Sequence, residues 1–175
     1  MIMNIRKNYK NILILLMFFP VVLWLSMKTS TDGDSPLFWA FMVFPPLLFG
    51  FNFVVRNNPK FKFYFLSKFN FLTSKYWASI SSEIPKELMF QKMIEVVNES
   101  NLHVKRIDEE NLEIFATTPV SFRSWGENIY IDFENQGDQT VMNFSSTTVV
   151  GIISWGQNEK NYNRLLSRFE DSLTI

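Results

Sequence analysis

The stretch Asn128-Ile129-Tyr130-Ile131-Asp132-Phe133-Glu134, followed by Asn135-Gln136-Gly137-Asp138 and then Gln139 to about Val150, decides the fold class. Ile129, Ile131 and Phe133 alternate with Tyr130 and Asp132, the two-residue period of a strand with one buried face. The four polar residues that follow suit a hairpin turn in which Gly137 takes positive φ. The Thr- and Val-rich run after them reads as the returning strand.

On the N-terminal side, Leu102-His103-Val104-Lys105-Arg106-Ile107 predicts another strand, Asp108 to Asn111 a polar turn, and Leu112, Ile114 and Ala116 a further alternating strand. Further upstream, the serines at 79–82, Glu83 and Pro85 signal a helix start. Met89, Phe90, Met93, Ile94, Val96 and Val97 then make a broad apolar face over roughly 85–100. Downstream, Tyr162, Leu165, Leu166, Phe169 and Leu173 give a helical stripe over about 158–173, with Asn158 as the expected N-cap. The order α-β-β-β-β-α predicts an α+β domain over residues 79–175: a four-stranded antiparallel sheet with the helices on one face.

Before this domain the chemistry changes. Residues 11–27 and 36–55 carry no charge and are largely apolar, with only residues 28–35 between them. That length and composition predict a two-helix transmembrane hairpin over residues 1–55, kinked at Pro20, Pro45 and Pro46. A signal peptide is the competing reading of the first run, but no small-x-small cleavage site follows it. Arg6, Lys7 and Lys10 precede the runs, Arg56, Lys60, Lys62, Lys68 and Lys75 follow them, and Lys28 is the sole cation between. The positive-inside rule then places both termini in the cytoplasm of a multi-pass protein of a bacterial inner membrane. No ionisable residue interrupts either run, which argues against an ion pathway.

Residues 56–78 form a basic, aromatic linker. Arg56, Lys60, Lys62, Lys68 and Lys75 are interleaved with Phe and Tyr, a pattern that fits lipid headgroups better than single-stranded nucleic acid when it directly follows an apolar run. The formal net charge of zero conceals a split: nine Lys/Arg against two Asp up to residue 75, and eight against fifteen acidic residues beyond it. The acidic half disfavours nucleic acid as a partner.

A five-residue echo joins the two ends of the domain. Ser124-Trp125-Gly126-Glu127-Asn128 recurs as Ser154-Trp155-Gly156-Gln157-Asn158. In the favoured reading both copies are turns, with Trp125 and Trp155 closing the sheet end and Asn128 and Asn158 capping the following elements. In the alternative, the two tryptophans and asparagines form an interaction spot.

Catalytic chemistry is not legible. His103 is the one histidine and there is no cysteine, so no metal, cofactor or catalytic residue is assigned. Asp108-Glu109-Glu110 reads as a solvated charge run, and the six glycines are too scattered for a phosphate loop.

The segment Val150 to Asn158 resembles the tail of an uncharacterised bacterial family of unknown function, an αββββα domain ending in Gly-x4-Gly-x-Asn before a last helix. Gly151, Gly156 and Asn158 match that spacing, and Ala116-Thr117-Thr118-Pro119 resembles the family's second strand. The resemblance covers roughly residues 83–173; Trp155 and Glu159 depart from it. It implies the fold and no activity. The expected function is that of a non-enzymatic, membrane-anchored accessory or scaffold protein, partnered by the lipid bilayer and by another membrane protein or a second copy. The alternatives are a lipid- or small-ligand-binding module and a carboxylate-dependent membrane enzyme.

Overall fold

Strand β1 (Lys75–Ser82) opens a five-stranded antiparallel sheet whose order is β1-β5-β4-β3-β2. The computed structural model describes Lys28 and residues 36–70, 72–121, 124–151 and 153–173. The chain divides into two units, residues 1–51 and 52–175.

The sheet has one strand more than the alternation at 102–150 predicts. Residues 75–82, read from sequence as linker and helix start, pair along their whole length with β5 (Gln139–Thr148), from Lys75 opposite Thr147 to Ser82 opposite Thr140. Tyr76, Ala78 and Ile80 do alternate with Trp77, Ser79 and Ser81. Small polar residues dilute that signal, and the antiparallel partner lies some sixty residues downstream.

Helix α3 (Lys86–Glu99) joins the two edges of the sheet, from β1 to β2 (His103–Asp108). Strands β3 (Glu113–Thr117), β4 (Glu127–Gln136) and β5 then return as a meander of antiparallel neighbours, bringing the chain back beside β1. Gly137, with φ +66°, and Asp138 alone separate β4 from β5, so the expected four-residue turn tightens to two. Helix α4 (Gln157–Leu173) completes the layer. Met89, Phe90, Met93, Val96 and Val97 of α3 and Leu165 and Phe169 of α4 pack on Ile114, Ile129, Ile131, Met142 and Phe144 of the sheet.

The N-terminal apolar region requires a correction. The expected span at 11–27 lies outside the described residues. The stretch 36–55 is helical, as α1 (Pro36–Val55), with Pro45 and Pro46 inside it. Among the described residues, however, no helix is long and apolar enough to cross a membrane. In its last turn, Asn52 and Val55 are buried within the αβ unit. Residues 36–51, sixteen of its twenty, remain outside that unit. At 1.5 Å rise per residue they extend about 24 Å, short of a hydrocarbon core of about 30 Å. The transmembrane hairpin, and with it the multi-pass inner-membrane placement, is overturned.

The basic, aromatic stretch folds onto the second face of the sheet. A 3-10 turn (Pro59–Phe61) and the short α2 (Lys62–Leu66) bring Phe65, fully buried, against Phe115 and Tyr130. The latter two rings stack with centroids 4.9 Å apart. Tyr130, expected to face solvent, is 3% exposed there, and burial raises its hydroxyl pKa. Lys62 Nζ lies 2.9 Å from Glu113 Oε1 and 3.7 Å from Asp132 Oδ2.

Arg56 anchors the start of this segment. Its guanidinium donates from Nη1 to Trp125 O at 3.0 Å and from Nη2 to Thr118 O at 2.9 Å. Desolvation lowers its pKa and the Glu127 charge opposes that shift. A Cβ on Gly126 would stand 2.6 Å from Nη2, and Gly126 has φ +91°. Only glycine admits both the backbone turn and the guanidinium.

Two substitutions test this packing. Phe65→Ala lowers the stability of the full chain by about 3–5 kcal/mol in urea unfolding; an unchanged midpoint shows that the 59–66 segment is not part of the cooperative unit. Gly126→Ala destabilises by at least about 1 kcal/mol, and part of that loss disappears in an Arg56→Ala background, where the clash is gone. Strict additivity in that double-mutant cycle refutes the close approach.

Candidate functional site

Glu127, the first residue of β4, points toward the helix layer, in register with Ile129, Ile131 and Phe133. It is 1% exposed, an unusual position for an acidic side chain. Its surroundings supply the donors that such burial demands. Thr118 Oγ1 donates to Oε2 and accepts the Glu127 N–H at 2.8 Å. Ser124 Oγ donates to Oε1, and Asn161 Nδ2 of α4 donates to Oε2 at 3.4 Å. Asn161 is itself oriented by Gln157 Nε2, which donates to its Oδ1 at 3.2 Å.

These groups form the floor of a cleft of about 420 Å³ between the β3–β4 connection and α4. Thr118, Pro119, Ser121 and Ser124 line one wall, Asn101 adds to the rim, and Gln157, Lys160, Asn161 and Arg164 line the other. Gln157, Asn161 and Arg164 follow the i, i+4, i+7 spacing that puts side chains on one helix face, and Lys160 lies beside them. Among the described residues, no ion pair includes Glu127, Lys160 or Arg164. The Nε of Arg164 is buried without a hydrogen-bond partner. The cleft therefore offers two uncommitted cations above one hydrogen-bonded carboxylate. Among the described residues, no group of three or more His, Cys, Asp or Glu is arranged to hold a metal ion.

The residues singled out from sequence fall elsewhere. Trp125 and Trp155 are 57% and 43% exposed; Trp125 packs its ring edge-on to Phe53 at 5.5 Å. Both echo motifs are turns, with Gly126 at φ +91° and the pair Trp155 and Gly156 at +52° and +76°. Asn128 is buried on the opposite face of the sheet, donating to the Tyr130 hydroxyl at 3.2 Å, and its Oδ1 has no partner. Asn158 is the second residue of α4 rather than its N-cap. Its Oδ1 accepts from Ser146 Oγ at 2.9 Å and its Nδ2 donates to Ser74 O at 3.0 Å, tying the helix to β5 and to the entry of β1.

The five cations of the expected headgroup set are dispersed. Arg56 is buried, Lys62 bridges two carboxylates, and Lys75 Nζ bonds to Asn70 O and Thr73 O at 2.8 and 3.2 Å. Lys60 and Lys68 lie at the surface. His103 is exposed at the start of β2, opposite Thr117, and is not among the residues lining the cleft.

Sequence reasoning missed Thr118, Asn161 and Arg164, and saw Glu127 only as part of an echo. A signal was present: the polar stripe Gln157, Asn161, Arg164 runs alongside the apolar stripe of the same helix. A stripe of that kind ordinarily marks a solvated face. Only the position of β4 distinguishes the two cases.

No protein-family model matches the chain, and no curated protein matches it either. Among solved structures, it is similar to Ara h 8.0201 with a TM-score of 0.47 at 9% identity, over 59% of this chain and 99% of that one. It is similar to TTHA0849 from Thermus thermophilus with a TM-score of 0.40 at 15% identity, over 58% and 97%. Likenesses of that extent establish neither a shared ligand nor a shared activity.

Proposed function

We propose that the αβ unit is a non-enzymatic binding module for a small, polar molecule bearing negative charge, held in the Glu127 cleft. The observation that carries this reading is Arg164, whose Nε is buried without a partner in the wall of a 420 Å³ cleft. Among the described residues no hydrogen bond or ion pair commits the Arg164 guanidinium, and a charged donor in a cleft wall favours an incoming acceptor. Lys160 beside it adds a second cation with no ion pair among the described residues. Apart from Pro119, every residue lining the cleft carries a polar or charged side chain, which favours a hydrophilic ligand over a lipid. The space between sheet and helices, where an apolar ligand would go, is occupied by Phe90, Met93, Ile129, Ile131, Phe144 and their neighbours.

A second reading, docking onto another protein, draws on Trp125, Ile153 and Trp155, which are 57%, 57% and 43% exposed. It names no partner chemistry, whereas the cleft does.

The test is titration of the isotope-labelled full chain with a panel of small carboxylates, inorganic phosphate and amino acids, followed by amide NMR. At least one probe is expected to give saturable shifts at Glu127, Lys160 and Asn161. Arg164→Ala should weaken that probe by about tenfold or more, the loss of one charge-assisted hydrogen bond. Shifts confined to other surfaces, or full affinity in Arg164→Ala, overturn the reading.

A further inference from the structure

The cleft carries charges of both signs, and the fold holds them apart. Lys160 and Arg164 stand four residues apart on α4, with no acidic partner among the described residues. Asn161, on the same helix between them, donates to Glu127 Oε2. The carboxylate thus lies one amide away from the two cations without an ion pair to either.

Arg56 does not neutralise Glu127 directly. Its guanidinium approaches from the far side of the β3–β4 turn and commits both Nη groups to the carbonyls of Thr118 and Trp125. The carboxylate meets hydroxyls and an amide on its near side. Oε2 accepts from Thr118 and Asn161, while Oε1 accepts from Ser124 alone. A carboxylate oxygen has room for about two donors, so Oε1, with Ser124 alone, is the less committed of the two oxygens.

This arrangement selects against simple ions. A purely anionic ligand gains from Lys160 and Arg164 but meets the Glu127 charge at the floor. A purely cationic ligand gains from Glu127 and is repelled by the wall. A buried carboxylate lacking a bonded cation is costly, and a donor of positive charge relieves that cost. Only a molecule with both charges uses all three groups.

We propose, on the footing that the cleft is a ligand site, that its ligand class is the small zwitterion: a carboxylate bound by Arg164 and Lys160, and an ammonium bound by Glu127 Oε1. Free α-amino acids are the simplest members of this class. Arg164 can grip a carboxylate with two parallel N–H bonds, a geometry that lysine alone does not offer.

The experiment uses the unaltered full chain and matched pairs of probes: each L-amino acid and the carboxylic acid lacking its ammonium (alanine against propionate, for example), with inorganic phosphate as a third arm. Affinities are read from the amide shifts of Lys160 and Asn161. At least one amino acid is expected to bind about tenfold or more tightly than its matched acid, the scale of one charge-assisted contact. Glu127→Gln should abolish that preference, with the amino acid's affinity falling and the matched acid's rising as the charge at the floor is removed. Equal affinity within every pair, or preference for phosphate, overturns the zwitterion assignment and leaves the cleft as an anion site. Absence of cleft shifts with all probes overturns both. The paired comparison needs no variant, so it decides the matter even where Glu127→Gln fails to fold.

Discussion

A buried guanidinium ties this structure together at the point where its segments meet. Arg56 is 6% exposed, and its two Nη groups are bonded to the carbonyls of Thr118 and Trp125, at either end of the β3–β4 connection. A charge taken out of water must find acceptors, and this turn supplies them to both Nη groups, though not to Nε, only because residue 126 has no side chain. The segment that follows Arg56 lies under the sheet, where Phe65 packs with Phe115 and Tyr130.

The turn that receives Arg56 also presents Glu127. Its backbone carbonyls face the guanidinium, while the Glu127 side chain enters the helix layer. The two charges are thereby fixed on opposite sides of one strand end. Electrostatic attraction persists between them, since the Glu127 charge raises the Arg56 pKa against the desolvation that lowers it. The near side of the carboxylate stays available to Thr118, Ser124 and Asn161. A polar network of this kind specifies geometry sharply, because an unmet group in such a place is expensive. Fixed donors around a less committed oxygen are what a selective binding site requires.

Most elements of the αβ unit were legible because their periodicities are local. The apolar face of α3, the Ile129–Ile131–Phe133 alternation and the Gly137 turn each declare themselves within a few residues. The misreadings share one physical origin. The aromatic and basic residues at 56–75 have a composition that suits a lipid interface, yet it equally suits the underside of a sheet whose outward-facing residues include Tyr130 and Asp132. Composition cannot distinguish those surfaces, since both reward rings for burial and cations for meeting anions. Strand β1 was hidden for a related reason: Ser79, Ser81 and Ser82 weaken its alternation, and its pairing with β5 is a long-range event.

Hydrophobic period and turn chemistry act over neighbouring residues, and they were enough for the α+β class, the helix after residue 85, the four strands from 103 to 148 and the terminal helix. They also marked positions 126 and 137 as suited to backbone turns at positive φ. Folding in three dimensions was needed to show that a fifth strand closes the edge, that Arg56 is a clamp rather than a surface cation, and that Asn52 and Val55 belong to the αβ unit. It was needed again to bring Glu127 together with Asn161 and Arg164, residues more than thirty positions away along the chain. Such a meeting depends on which face of β4 lies under α4, and no local pattern encodes that choice.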